Sequence, residues 1–191
     1  MPRFTRAELE AFYDAEVPDL LPAPDQPLRL LFVGINPGLW TAAVQTHFAR
    51  RGNRFYPALL QAGIIDRPID AGEGMTDAER EYFRSRGIGI TNVVRRATAR
   101  ADELSDEELR QGGRRLVETI ARTRPKVVAV LGVTAYRTAF GYRRAVTGRQ
   151  PEPLAGAELW VVPNPSGLNA HETVESLATA YAEAARAAGV L

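Results

Sequence analysis

Residues 30–38 read LLFVGINPG, and no other stretch constrains the fold as strongly. Leu30, Leu31, Phe32, Val33 and, past one glycine, Ile35 are too few for a lone helix. They suit a strand buried on both faces, which in turn demands helices above and below it. The run then stops at Gly34-Ile35-Asn36-Pro37-Gly38, where glycine and proline bracket one amide side chain. Glycine lets backbone approach a ligand closely, and proline removes a donor and stiffens the turn. Asn36 is thereby predicted at the carboxyl end of a strand, where open α/β sheets bind their ligands. An ordinary strand-to-helix turn fits the same five residues.

The remaining chain repeats this alternation. Thr5-Arg-Ala-Glu8 matches a capping box opening a short helix, and residues 19–27, with three prolines, read as an extended lead-in. Strands are expected at 29–33, 87–91, 127–131 (VVAVL) and 158–162. Residues 39–52 show no clean period and read as a long loop, and a helix follows at 53–62. Thr76-Asp-Ala-Glu79 and Ser105-Asp-Glu-Glu108 are further capping boxes, and helices are also expected at 134–140 and 173–188. Residues 142–156 read as a loop or irregular crossover. The pattern predicts one α/β domain, a three-layer α/β/α sandwich around a mainly parallel four-stranded sheet, with residues 1–27 as an N-terminal helix and lead-in and 28–191 as the domain proper.

Composition narrows the chemistry. The chain has no cysteine and two histidines, His47 and His171, which excludes thiolate catalysis and cysteine metal sites and argues against a histidine-rich metal site. No signal-like segment or membrane-length apolar run occurs, so a cytosolic protein is expected. The net charge of +1 is unevenly spread: residues 29–100 carry eleven Arg against six acids. Basic loops on a neutral body are compatible with a phosphate-backbone partner.

Three strand-end loops should meet at one sheet edge, carrying Asn36, Asn92 (in TNVV) and Asn164 to Leu168 (NPSGL). None offers a carboxylate, a histidine, a serine–base pair or a nucleophilic lysine. A site built from them must act by positioning and hydrogen bonding. GINPG lacks the Lys-Ser/Thr ending of a phosphate-binding Walker loop.

GINPGLWTAA, HFARRGNRF, GITNVVRRAT, the Gly112-Gly113-Arg114 helix and NPSGL together resemble the mismatch-specific uracil/thymine-DNA glycosylases of the uracil-DNA glycosylase superfamily. The similarity runs from about residue 28 to the C-terminus, in family order and spacing. It implies a monomeric enzyme that needs no metal or cofactor, flips uracil, with thymine and other damaged bases as further candidates, out of mismatched double-stranded DNA and hydrolyses its N-glycosidic bond. Asn36 matches the asparagine that orients the attacking water. Phe48 matches the aromatic that stacks on the extruded base, and Ile35 and Gly38 the backbone that meets the base edge. Asn92 sits where a polar residue reaches the pyrimidine, and Thr41 occupies a small position beside the pocket. Leu168 corresponds to an apolar wedge entering the vacated stack, with Gly167 approaching the orphaned guanine, Ser166 on a phosphate and Asn164 bracing the loop. Phe48 also reads as an edge-of-core ring and Asn92 as a turn residue. Asn169 with Glu172 is a candidate cap for the last helix.

Two departures from the family pattern stand out. Ala170 and His171 replace an Arg found two residues after the wedge in some members, and Trp40 replaces a small residue. Two other functions fit the fold: a catalytically weak DNA- or nucleotide-binding module, and a nucleotide-processing enzyme. The second requires a phosphate cradle and paired carboxylates that the strand ends lack.

Overall fold

The structure, a computed structural model, describes residues 4–191. Its strands are β1 (Leu30–Gly34), β2 (Ile88–Asn92), β3 (Val127–Leu131), β4 (Gly148–Arg149) and β5 (Glu158–Val162). They form one sheet in the order β2-β1-β3-β5-β4, parallel throughout except for β4. The helices are α1 (Arg6–Glu10), α2 (Leu39–Val44), α3 (Phe55–Gln61), α4 (Asp77–Ser85), α5 (Asp106–Thr123), α6 (Val133–Phe140) and α7 (Val174–Ala188).

Alternation along the strands divides the core into two layers. Leu30, Phe32, Ile88, Ile90, Val127 and Ala129 face Phe55 and Leu59 of α3 and Leu177 and Tyr181 of α7. Leu31, Val33, Val128, Val130, Leu159 and Val161 face Leu109, Leu116 and Ile120 of α5 and Tyr136 of α6. Each central strand is therefore apolar at every position, as a doubly covered parallel sheet requires. Phe32 is fully buried, edge-on to Phe55 with ring centroids 5.1 Å apart, and truncating it to Ala should cost about 3–5 kcal/mol. On α5, Gly112 and Gly113 allow close approach to the Val93 carbonyl and, from the next position, to the Ala139 carbonyl.

The expected three-layer class is observed, with five strands rather than four. Strand β4 lies in the stretch expected to be irregular, where Gly148 and Arg149 pair antiparallel with Val161 and Trp160. A two-residue polar edge strand carries no apolar alternation to reveal it. Residues 39–44 form α2 rather than loop, because one and a half turns are too short to show a period; Gln45 ends the helix in a left-handed conformation at φ 52°. The chain then stays irregular to residue 54. The three expected capping boxes, at Thr5, Thr76 and Ser105, are all formed. Asn169 does not cap α7; Thr173 does, accepting from the Ser176 amide.

The lead-in is tied to the domain. Leu20 and Ile90 exchange both backbone hydrogen bonds, at 2.9 and 2.8 Å, so this segment covers the outer edge of β2. Among the described residues no helix is long and apolar enough to cross a membrane. The chain leaves β1 toward β2 on one side, whereas β3 leads to β5 on the other. This reversal opens a crevice at the carboxyl ends of β1 and β3.

Candidate active site

A cleft of about 330 Å³ occupies that crevice. Ile35, Asn36, Gly38, Thr41, Phe48, Asn92, Asn164, Ser166 and Leu168 all line it, so the three asparagine loops do converge. Gly167, the remaining residue singled out by the sequence, lies beside it in a smaller basic hollow with Arg50 and Arg51.

Asn36 is fixed by its nitrogen. Nδ2 donates to the Arg96 carbonyl at 3.0 Å and to Thr98 Oγ1 at 2.8 Å. Both amide hydrogens are used on the protein, which leaves Oδ1 as the cleft-facing acceptor. The Ile35 carbonyl accepts from the Val94 amide at 2.9 Å, anchoring the loop to the exit of β2. At Gly38 a Cβ would meet nothing within 4 Å and the backbone φ is an ordinary −79°. Neither packing nor backbone conformation demands glycine there.

Phe48 has φ 58°, a conformation that a bulky side chain adopts only at a cost of about 1–3 kcal/mol. Neighbouring groups hold it on both sides. Tyr56 Oη donates to the His47 carbonyl at 2.7 Å, and the Ala49 amide donates to Thr41 Oγ1 at 3.3 Å. The Phe48 ring lies on Phe55, centroids 4.1 Å apart and 31° between planes, with its edge against Gly34. Thr41, buried at 4% exposure, therefore acts through the Phe48 backbone.

Asn92 closes the other side. Its Oδ1 stands over Gly34, 2.5 Å from where a Cβ on that glycine would lie, and its Nδ2 is 3.1 Å from His47 Nδ1. His47 Nε2 is 2.9 Å from the Pro18 carbonyl. Burial lowers the pKa of the His47 ring, against the opposing pull of the Pro18 carbonyl and Asp19, so the ring is held neutral.

The loop after β5 projects from the rim. Asn164 Oδ1 accepts from the Ser166 amide at 2.9 Å, and the Asn164 carbonyl accepts from Asn169 Nδ2 at 3.1 Å. Ser166 Oγ accepts from the Leu168 amide at 3.2 Å. Leu168 stands 73% exposed at the tip. A Cβ on Gly167 would come within 2.7 Å of the Gly52 carbonyl, so this glycine is needed for loop–loop contact whatever else it meets. His171 is exposed just beyond, and Trp40 donates its indole hydrogen to the Gly72 carbonyl at 3.0 Å.

The sequence model of the Uracil DNA glycosylase superfamily matches residues 22–186. This chain belongs to that superfamily. Among solved structures, it is similar to the solution NMR structure of a "putative Uracil DNA glycosylase" from Methanosarcina acetivorans. The two share 18% identity with a TM-score of 0.60, over 91% of this chain and 98% of the other, which is a likeness of fold.

Members of the uracil DNA glycosylase superfamily are hydrolases that release bases from DNA, and in this one several residues that shape the cleft escaped sequence reasoning. Arg96 and Thr98 orient Asn36 through a carbonyl and a hydroxyl sixty or so positions away. Arg54 clamps the projecting loop: its guanidinium donates to the carbonyls of Ser166 at 2.8 Å, Asn169 at 2.7 Å and Glu172. Asp102 brings a carboxylate to the cleft rim, where it is paired with Arg100 at 2.9 Å and exposed. No group of three or more metal-ligating side chains occurs among the described residues.

Proposed function

We propose that this protein is a monofunctional DNA glycosylase of the mismatch-directed kind, which extrudes uracil from double-stranded DNA and hydrolyses its N-glycosidic bond. The observation that carries the reading is the fixed amide of Asn36, whose Oδ1 faces a cleft shared with Phe48 and Asn92. Departure of uracil leaves an oxocarbenium-like sugar and a base anion. Oδ1 would accept a hydrogen bond from water and hold its lone pair toward the anomeric carbon. An amide cannot take the proton as a carboxylate does, so turnover is expected to be slow.

Phe48 would stack on the extruded base, held by its own constrained backbone rather than by loose packing. Ile35 and Gly38 would offer main chain to the base edge, and Asn92 would read the pyrimidine. Leu168 would fill the vacated stack, carried on the Arg54-clamped loop, with Ser166 and the Arg50–Arg51 surface toward the phosphates. Extrusion costs a few kcal/mol and is cheapest at a mismatch, which supports the mismatch preference. The single lysine, Lys126, precedes β3 at the end of the sheet opposite the cleft, so no side-chain amine is placed to cleave the sugar by β-elimination.

Duplex oligonucleotides with uracil opposite guanine test this. Alkali after incubation should break the strand at the uracil, and without alkali it should stay whole. No cleavage of G·U, A·U or single-stranded uracil substrates would leave a DNA-binding module instead. Release of thymine in parallel defines the substrate range.

A further inference from the structure

A second cavity, of about 390 Å³, lies beside the cleft, and the proposed chemistry does not use it. Its size falls within the range of about 300–1,000 Å³ typical of small-molecule sites. Trp40, Tyr56, Pro57, Ile69 and Ala71 form its walls. Trp40, one of the two departures from the family pattern, is fixed in place. Its indole hydrogen goes to the Gly72 carbonyl at 3.0 Å, and Phe4 meets its ring nearly at right angles, centroids 5.0 Å apart. Tyr56 is fixed too, since its hydroxyl is spent on the His47 carbonyl. The one carboxylate on the lining, Asp70, accepts from the Gly72 amide at 3.2 Å. Such walls offer apolar and aromatic surface rather than a pattern of hydrogen bonds, which suits a flat ring held by its faces.

The surroundings of the cavity say which ring. Phe48, Arg50 and Asn53 line both this cavity and the base cleft. Arg50, Arg51, Gly52 and Asn53 line both this cavity and the basic hollow beside Leu168. Arg50 and Asn53 therefore stand where all three meet. Among the described residues the exposed Arg50 guanidinium has no hydrogen-bond or ion-pair partner. A free cation between two cavities of ring size matches two bases joined by one phosphate. We propose that the cavity is a second nucleotide subsite, which takes the base next to the extruded one on the same strand, with their shared phosphate on Arg50. A base leaves the stack most cheaply where it is unpaired, so the subsite serves single-stranded DNA and stays empty on a paired duplex. This rests on the glycosylase reading above and deepens it by adding single-stranded DNA to the substrate class.

Single-stranded oligonucleotides carrying one 2′-fluoro-2′-deoxyuridine, whose glycosidic bond resists hydrolysis, test the subsite by equilibrium binding to the full-length protein. The neighbouring base on the 5′ side, on the 3′ side or on neither is replaced by an abasic tetrahydrofuran. An abasic neighbour on one particular side should weaken binding by about tenfold, the loss of one stacked base, and on the other side should change little. Ile69→Trp fills the cavity and should bring the intact strand down to the abasic level, erasing the difference. Pro57→Trp fills it from an exposed position and stands in should Ile69→Trp not fold. With ordinary deoxyuridine, single-turnover release from single strands should follow the same pattern, while either filled variant leaves release from a G·U duplex unchanged. Equal binding whichever neighbour is abasic, or a side preference that survives in a folded filled variant, overturns the subsite and leaves the glycosylase reading intact. Side-dependent binding with no release of uracil from any substrate sinks the glycosylase reading and leaves the subsite standing in a DNA-binding module. Rescue of the abasic strand's binding by added deoxyadenosine monophosphate would make the cavity a site for free nucleotide and overturn the tethered one.

Discussion

Thr98 Oγ1 accepts from Asn36 Nδ2 at 2.8 Å while donating its own hydrogen to the Arg100 carbonyl at 2.7 Å. The hydroxyl is committed in both roles, so it can face only the nitrogen of the Asn36 amide. That commitment decides which atom of Asn36 points into the cleft. Thr98 is 1% exposed and makes this choice without touching the cleft chemistry itself.

Thr98→Val should therefore lower kcat for uracil release by about tenfold, with binding of the product base little changed. The Arg96 carbonyl still holds one amide hydrogen, so the loss should be smaller than the about 10²–10³-fold expected of Asn36→Ala. Single-turnover rates on a G·U duplex, alongside thermal melts to confirm folding, check both. Equal kcat in wild type and Thr98→Val would mean that the Thr98 hydroxyl does not set the Asn36 amide orientation.

Arg54 bears on a different step. It holds three carbonyls of the loop that presents Leu168, and its own amide donates to the Pro165 carbonyl at 2.9 Å. Arg54→Ala should slow release of uracil from duplex DNA by about tenfold or more and affect single-stranded substrate much less, because only duplex requires a wedge. Leu168→Ala should show the same bias. If both act through one loop, the double variant should fall well short of the product of the two effects. An equal loss on single-stranded and duplex DNA would place Arg54 in fold stability rather than extrusion.

The central strands were legible because doubly buried strands are apolar at every position, and VVAVL needed no other evidence. The capping boxes were legible because their partners sit three residues apart. Strand β4 and α2 were not, being too short to establish a period. Site residues followed the same division. Asn36, Asn92 and Leu168 announce themselves as polar or apolar groups in unusual loops. Arg54, Thr98 and His47 work through backbone carbonyls, or through one side chain far along the chain. Arg54 reaches carbonyls 112 and 115 residues away, and a carbonyl leaves no mark in the sequence. The lead-in was separable on composition, with its prolines and acids, yet the Leu20–Ile90 pairing and the Pro18–His47 contact tie it to the cleft wall.

Glu108 connects α5 to the same loop that holds Asn36. Its carboxylate takes the Ser105 amide at 2.9 Å and the Arg96 guanidinium at 3.2 Å, and the Arg96 carbonyl orients Asn36. The Arg96 hydrogen bonds, followed by the Ser105 amide, lower the Glu108 pKa to about 2. A depressed carboxylate stabilises the folded state fully above its unfolded pKa, here the ordinary 4.5, and loses that contribution as pH falls toward 2. Urea denaturation between pH 5 and 2 should show the wild type losing stability faster than Glu108→Gln. Parallel slopes for the two proteins would mean that the Arg96 pair is broken in solution.

His47 should act in a higher window. Its ring is held neutral chiefly by burial; Arg80 opposes protonation, Asp19 favours it, and Tyr56 engages only the His47 carbonyl. A group whose folded pKa is lowered stabilises the fold fully above its unfolded value, the ordinary 6.5, because below it the unfolded chain takes up a proton that the native ring refuses. Stability should fall as pH drops below 6.5, with one proton contributing at most about 1.4 kcal/mol per pH unit. His47→Gln cannot titrate and should flatten the profile between pH 6.5 and 4.5, leaving only the carboxylate-driven decline further down.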